Sequence, residues 1–270
     1  MRKLLLLFLA LIVFTSPHAF GAINDVREKV LLPDGARIVL PPPPKVEDVF
    51  PNSHNPPPQE QPVTYLKLDC SYKKGALTDE LFRSRIGNPL TISQKNNVSS
   101  ITLKKQICIT NKTLSLITPI FTQLTSINLS HCGKISSADV LELVKGCQLL
   151  KRIDLSGCPL ITDQALASIA EFCPYLEVLL LHDCSNISDK GINNLARNCT
   201  HLKVLDIGGT PKQVNISGES LDEIAENCFA LQQLIITGCT KIKPGDIRRF
   251  QSKLPQCKII GPEHPAPLKK

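Results

Sequence analysis

The chain has 270 residues, a formal net charge of +7 and 42% hydrophobic residues, with aromatics at only 4% and no Trp. At roughly 100–200 residues per domain it holds one or two domains, and the apolar fraction excludes a wholly disordered chain. The excess of base is mild and mixed with acids, and few aromatics exist to stack on bases, which argues against nucleic acid as partner; no apolar run reaches the ~18–20 residues of a membrane span.

The first element is an address. Arg2 and Lys3 precede Leu4–Phe14, an unbroken apolar run that Thr15, Ser16 and Pro17 end. Ala19-Phe20-Gly21 then offers small residues for cleavage before Ala22. This is the order of a secretory signal peptide over residues 1–21, and it predicts a secreted, periplasmic or cell-surface protein with no membrane span after cleavage. Residues 22–62 follow as a proline-rich, disordered linker. Ten of the 21 prolines lie between Pro33 and Pro62, including Pro41–Pro44 and Pro56–Pro58. Proline fixes φ and lacks a backbone donor, so the natural state here is extended polyproline II, a spacer before a folded body. Residues 261–270 are a second short tail of the same kind.

The body is a repeat. Leu124, Leu150, Leu176 and Leu202 are 26 residues apart, Leu231 follows after 29, and counting back reaches Val98. Each unit opens with period two: Ile153 and Leu155 point one way, Arg152, Asp154 and Ser156 the other, which predicts a short strand. The second half places Leu166, Ile169, Ala170 and Cys173 at i, i+3, i+4 and i+7, one face of a helix. Val140, Leu143, Val144 and Cys147 repeat this, as do Ile192, Leu195, Ala196 and Cys199, then Leu221, Ile224, Ala225 and Cys228. Thr162 or Asp163, and Ser188 or Asp189, stand where an N-cap belongs. One unit cannot bury both its strand face and its helix face; stacked neighbours can. The expected fold is therefore an α/β solenoid over 98–260, with parallel strands on the concave face and helices on the convex one. Tyr65–Cys70 reads as one more strand, 35 residues before Ile101, inside an irregular cap over 63–97.

The unit Leu-x-x-Leu-x-Leu-x-x-Cys, then Ile-Thr/Ser-Asp, then a helix ending in Cys, resembles the cysteine-containing class of leucine-rich repeats. Cys158-Pro-Leu-Ile161-Thr162-Asp163 and Cys184-Ser-Asn-Ile187-Ser188-Asp189 carry the resemblance. It implies a horseshoe that binds other proteins. The class is best known from F-box/leucine-rich-repeat proteins, where the repeats select substrates for a cullin-type ubiquitin ligase, so ligase components are partners that the resemblance implies. No F-box is recognisable: the candidate helix 77–86 is one short stretch where an F-box needs three. Two departures stand out. Thr210 takes the place of the fourth strand Cys, and in the last unit Leu254 and Cys257 replace the helix Cys and the Leu after it.

The chain has eleven cysteines. Cys132, Cys158, Cys184 and Cys239 follow the strands; Cys147, Cys173, Cys199 and Cys228 end the helices. No Cys-x-x-Cys pair suits zinc, so no metal is expected. A disulfide framework competes with packed free thiols, and the odd count and core positions favour packing. No motif for a cofactor or a catalytic loop is present. His131 beside Cys132 and His182 near Cys184 invite a Cys–His dyad, but the same Cys recurs in units that have no His, so a non-catalytic chain is expected. Six sequons, at Asn97, Asn111, Asn128, Asn186, Asn198 and Asn215, arise from an Asn/Ser/Thr-rich repeat. They are read as chance triplets, which leans toward a bacterial, effector-like origin.

The outward strand positions form three rows. One runs Thr102, Asn128, Asp154, Leu180, Asp206, Ile235; beside it lie Ser100, Ser126, Arg152, Val178, Val204, Gln233 and, on the other side, Lys104, Ser130, Ser156, His182, Gly208, Thr237. From Val178 onward the face turns apolar. Val178, Leu180, Val204 and Ile235, with Arg152, Asp154, His182 and Asp206 around them, form the predicted site for another protein. The expectation is a monomeric, exported binding module without a cofactor. Two other readings stand beside it: a substrate-recognition component of a cullin-type ubiquitin ligase, or a bacterial effector imitating one, as the resemblance implies; and a structural surface protein tethered through its proline-rich arm.

Overall fold

The computed structural model describes residues 30–31, 37–39, 66–69, 79–82, 98–106, 109–209 and 215–261. The chain divides into two compact units, Met1–Val30 and Leu31–Lys270. Of the first only Val30 is described, opening the two-residue strand β1 (Val30–Leu31). The segment 1–21 expected to be a leader, most of the proline-rich segment, Thr210 and the tail after Gly261 lie outside the described residues. Among those described, no helix is long and apolar enough to cross a membrane.

In the second unit, β3 (Leu66–Asp69), β4 (Val98–Thr102), β5 (Ser126–Asn128), β6 (Arg152–Asp154), β7 (Val178–Leu180), β8 (Val204–Asp206), β9 (Gln233–Ile235) and β10 (Lys258–Ile260) pair in chain order, all parallel. Between them run α1 (Asp79–Phe82) and six ten-residue helices: α2 (Asn111–Ile120), α3 (Ser137–Gly146), α4 (Asp163–Phe172), α5 (Asp189–Asn198), α6 (Gly218–Asn227) and α7 (Pro244–Lys253). Consecutive helices pack side by side, as the strands do. This is the strand–helix solenoid that the period of 26 predicts.

The register follows the repeat. Ile101, Ile127, Ile153, Leu179, Leu205 and Leu234 stand opposite one another along the ladder and are sealed from solvent. The apolar helix faces meet them from the other side in one continuous core. Each buried Leu or Ile contributes about 1.5–3 kcal/mol. A single coil would leave most of these side chains wet, so the stack is the stable unit.

Two expectations need correction. The segment 22–62 is not a linker throughout: β2 (Arg37–Val39) pairs antiparallel with β3, with Arg37 opposite Asp69. It lies in the proline-free stretch 34–40, where a β-branched pair, Ile38-Val39, favours extended backbone. The strand in 65–70 forms, but Leu68 rather than Leu66 stands opposite Ile101, because the register shifts between Leu66 and Lys67.

The cysteines have two structural jobs. Those after the strands send Sγ–H back to the preceding coil: Cys132 to Leu103 O at 3.1 Å, Cys158 to Leu129 O at 3.2 Å, Cys184 to Leu155 O at 3.1 Å and Cys239 to Ile207 O at 3.4 Å. A small apolar side chain with a weak donor suits a buried site that faces one carbonyl. Cys147, Cys173, Cys199 and Cys228 are helix C-caps, each backbone N–H donating to the carbonyl four residues earlier. All eight, with Cys257, are buried and unpaired.

The motif Thr/Ser-Asp resolves as well. Thr162 and Ser188 are the N-caps, and Asp163 and Asp189 are the first helical residues. Each carboxylate accepts from the N-cap of the next coil. Asp163 takes Ser188 N at 2.8 Å and Ser188 Oγ at 2.6 Å; Asp189 takes Ser217 N at 2.9 Å and Ser217 Oγ at 2.7 Å. Acid at a helix N-terminus is favoured by the dipole, and here it also joins coil to coil. At the far end Gln251 stands where Ala170, Ala196 and Ala225 are buried, and is exposed. A polar residue there finishes the stack.

Candidate functional site: the strand face

The inward strand residues are the same kind in every coil. The outward ones are not, and they are free of the core's demands. On β4–β6 the face shows Ser100, Thr102, Ser126 and Asn128, partly exposed, with Arg152 exposed at its border. On β7–β9 it shows Val178, Leu180, Val204 and Ile235, all partly exposed. The row continues onto β10, where Ile260 stands opposite Ile235 and is also partly exposed. Ile260 escapes the sequence reading because it follows a degraded unit.

The two carboxylates differ from an exposed charged rim. Asp154 and Asp206 are 8% and 9% exposed. Asp154 Oδ1 accepts from Ser156 N at 3.1 Å, and its Oδ2 accepts from Asn128 Nδ2 at 2.9 Å. Asn128 Oδ1 in turn accepts from Ser130 N at 2.9 Å, and Asp206 Oδ1 accepts from Gly208 N at 2.9 Å. A short carboxylate or amide folding onto the N–H two residues ahead holds the turn after each strand. Leu180 interrupts this row, so coil β7 offers apolar surface where its neighbours hold an internal bond.

His182 lies at the border of the patch, its side chain 40% exposed, with Nδ1 3.3 Å from Asp206 Oδ1 and Nε2 3.9 Å from Asp183 Oδ2. The ring thus bridges a nearly buried carboxylate and a wetter one. Thr237 Oγ1, in the same row, is buried without a hydrogen-bond partner. That leaves one polar group beside Ile235 that the fold does not satisfy.

The Cys–His pairs are not arranged for nucleophilic chemistry. Burial pushes the Cys132 thiol up to about 11 and the Cys184 thiol up to about 12. Both sulfurs donate to backbone carbonyls. The thiolate is the nucleophile, and burial withholds it at neutral pH. The sequon asparagines are also committed: Asn128 to Asp154, Asn186 Nδ2 to Pro159 O at 2.6 Å, Asn198 Nδ2 to Asn194 O at 2.8 Å, and Asn215 Oδ1 to Lys241 Nζ. Asn111 opens α2 and is exposed; Asn97 lies outside the described residues.

The family model described as Leucine Rich repeat matches residues 146–170, from the end of α3 through most of α4. No curated protein matches the chain. Among solved structures it is similar to a leucine-rich-repeat-containing protein, LegL7, from Legionella pneumophila, at 17% identity and a TM-score of 0.46, covering 71% of this chain and 62% of that one. It is also similar to a chain in the complex of Rad7 and Elc1 from yeast, at 14% identity and a TM-score of 0.41, covering 68% and 59%. The chain thus spans about three-fifths of the length of each. Residues 146–170 thus match a leucine-rich repeat, and the coils on either side repeat the same strand–helix plan.

Proposed function

We propose that this chain of cysteine-type leucine-rich repeats is a non-catalytic binding module that captures another protein on the β7–β10 half of its strand face. One observation carries the reading. Val178, Leu180 and Val204 adjoin on β7 and β8, and Ile235 and Ile260 on β9 and β10, with the nearly buried Asp206 between the two groups; all five are partly exposed apolar residues at positions that the core leaves free. An apolar centre with a polar border is the anatomy of a protein interface. Arg152 and His182 supply the border. Asp154 and Asp206 act from beneath as turn-holding carboxylates.

The test is differential capture with the full chain as bait. A partner should be retained by the wild-type chain and by Lys190→Asp on the helix face, and lost from Leu180→Asp. Equal retention by Leu180→Asp, with an unchanged unfolding midpoint, removes the patch. A ligase adaptor among the captured proteins would turn the reading toward substrate recognition. The support for export is the sequence of basic, apolar and small residues over Arg2–Gly21, and it predicts a mature N-terminus at Ala22 on sequencing the secreted protein.

A further inference from the structure

Three of the four large apolar side chains exposed among the described residues lie on one edge of the solenoid: Leu149, 51% exposed, Tyr175, 65%, and Phe229, 69%. They sit in three of four successive turns that carry the chain from a helix C-terminus to the start of the next strand. His201 occupies the turn between Tyr175 and Phe229, its ring centroid 5.4 Å from that of Tyr175 and tilted by 58°. The other described phenylalanines, Phe82, Phe121, Phe172 and Phe250, are buried or partly buried in the core. Among the described residues of this aromatic-poor chain, the exposed aromatics are thus gathered on one edge. Beside the ridge Lys151 and Lys203 share the single carboxylate of Glu177, at 3.5 and 2.6 Å, which leaves a surplus positive charge.

The topology brings one segment to this edge. β2 runs antiparallel to β3, with Val39 opposite Lys67, so β2 ends where β3 begins. Segment 40–65, which joins them, therefore leaves and re-enters at the N-terminal ends of the parallel strands. That is the edge carrying Leu149, Tyr175 and Phe229. The segment has 26 residues, nine of them proline, and its charges are Lys45 against Glu47, Asp48 and Glu60. At about 3.3 Å per residue, half of it reaches about 40 Å, whereas β9 is six strands from β3, about 29 Å at about 4.8 Å per strand.

We infer that the ridge Leu149–Tyr175–His201–Phe229 is a seat for the proline-rich segment 40–65 of the same chain. Polyproline II segments dock on exposed aromatic ridges, because the rigid helix loses little entropy and its pyrrolidine faces pack on rings. The net acid of the segment complements the surplus lysine charge beside the ridge. This surface is distinct from the strand-face patch, and the two readings stand or fall separately.

Lys45 is the sole Lys or Arg in 40–65, which makes trypsin a reporter of seating in the full chain. The double substitution Tyr175→Ser with Phe229→Ser removes only exposed side chains. It should speed cleavage after Lys45 about tenfold while the repeat body resists digestion as before. Equal cleavage rates overturn the inference. A benzophenone side chain introduced in place of Tyr175 gives an independent reading in an otherwise native chain. Links to residues 41–58 within one molecule are expected; links between two molecules, or none to that segment, overturn it.

Discussion

The strand face has two halves that share one backbone. In β4–β6 and in β7–β9 the register, the sealed central residue and the backbone bonds between coils are the same. What differs is the outward residue: Ser126, Asn128 and Asp154 on one half, Val178, Leu180 and Ile235 on the other. A position that the fold dictates reads the same in every coil. A position that reads differently is one the fold leaves open, and there a binding function has room to act.

The sharpest way to break that comparison is to mutate neighbours on one strand. Leu179 is fully buried and Leu180 only partly. Leu179→Ala should cost about 2–5 kcal/mol, because it leaves a cavity that adjoining coils cannot close. Leu180→Ala should stay below about 1 kcal/mol. Urea unfolding of both variants checks this; similar losses would mean that the face belongs to the core.

The next effect comes from exchanging the two halves' residues. Asp154→Leu copies coil β7 into coil β6, and deprives Ser156 N and Asn128 Nδ2 of their acceptor. A cost of about 1–3 kcal/mol is expected. The reverse change, Leu180→Asp, adds the carboxylate that Asp154 and Asp206 use to hold their turns. It should leave stability nearly unchanged while abolishing capture. Thermal unfolding of the two single variants and the double exchange measures both halves of this prediction.

Much of this was legible in the sequence, for a physical reason. Buried positions repeat with the geometry, so the period of 26 exposes every strand centre and every helix stripe from Val140 to Cys228. The first ten-residue helix, α2, escaped because Phe121 takes the place of the Cys that marks α3 to α6, and Pro119 interrupts it. Alternation placed Asp154 and Asp206 on the outward side correctly. It could not show that a carboxylate folds back onto the N–H two residues ahead, which is why both are nearly buried. The aromatic ridge was invisible to periodicity. Tyr175 is two residues past its helix Cys and Phe229 one past its own, so only the folded turns align them.

The thiols give a smaller effect, spread over both halves. Burial raises Cys132, Cys147 and Cys257 from 9.0 to about 11, and Cys158, Cys173, Cys184, Cys199, Cys228 and Cys239 to about 12. A raised folded value favours the neutral thiol in the folded state. Its contribution is full below the unfolded value and is lost as pH rises through the folded one. The unfolding midpoint should therefore fall progressively above about pH 9, as unfolded thiols ionise near their ordinary values. Thiol titration in denaturant should find most of the eleven free; two or fewer would replace packed thiols with a disulfide framework.

The smallest effect tests the turn shared by the coils. Lys105, His131, Gly157 and Asp183 occupy equivalent positions, and their φ values are 62°, 60°, 68° and 58°. Three side chains thus sit in the left-handed region, which costs an L-residue about 1–2 kcal/mol. Lys105 is the clean case, because it is exposed. The ring of His131 packs against Gly157, and Asp183 carries the contact to His182. Lys105→Gly removes the steric cost but loses about 0.5–1 kcal/mol of chain entropy. A net gain of about 0.5 kcal/mol, roughly 1–2 °C in Tm, should follow. Gly157→Ala does the opposite twice over: its φ suits glycine, and a Cβ there would overlap the His131 ring. If Lys105→Gly lowered Tm instead, the lysine stem would be contributing packing that outweighs the strain, and the polar half of the face would begin one coil earlier than its strands suggest.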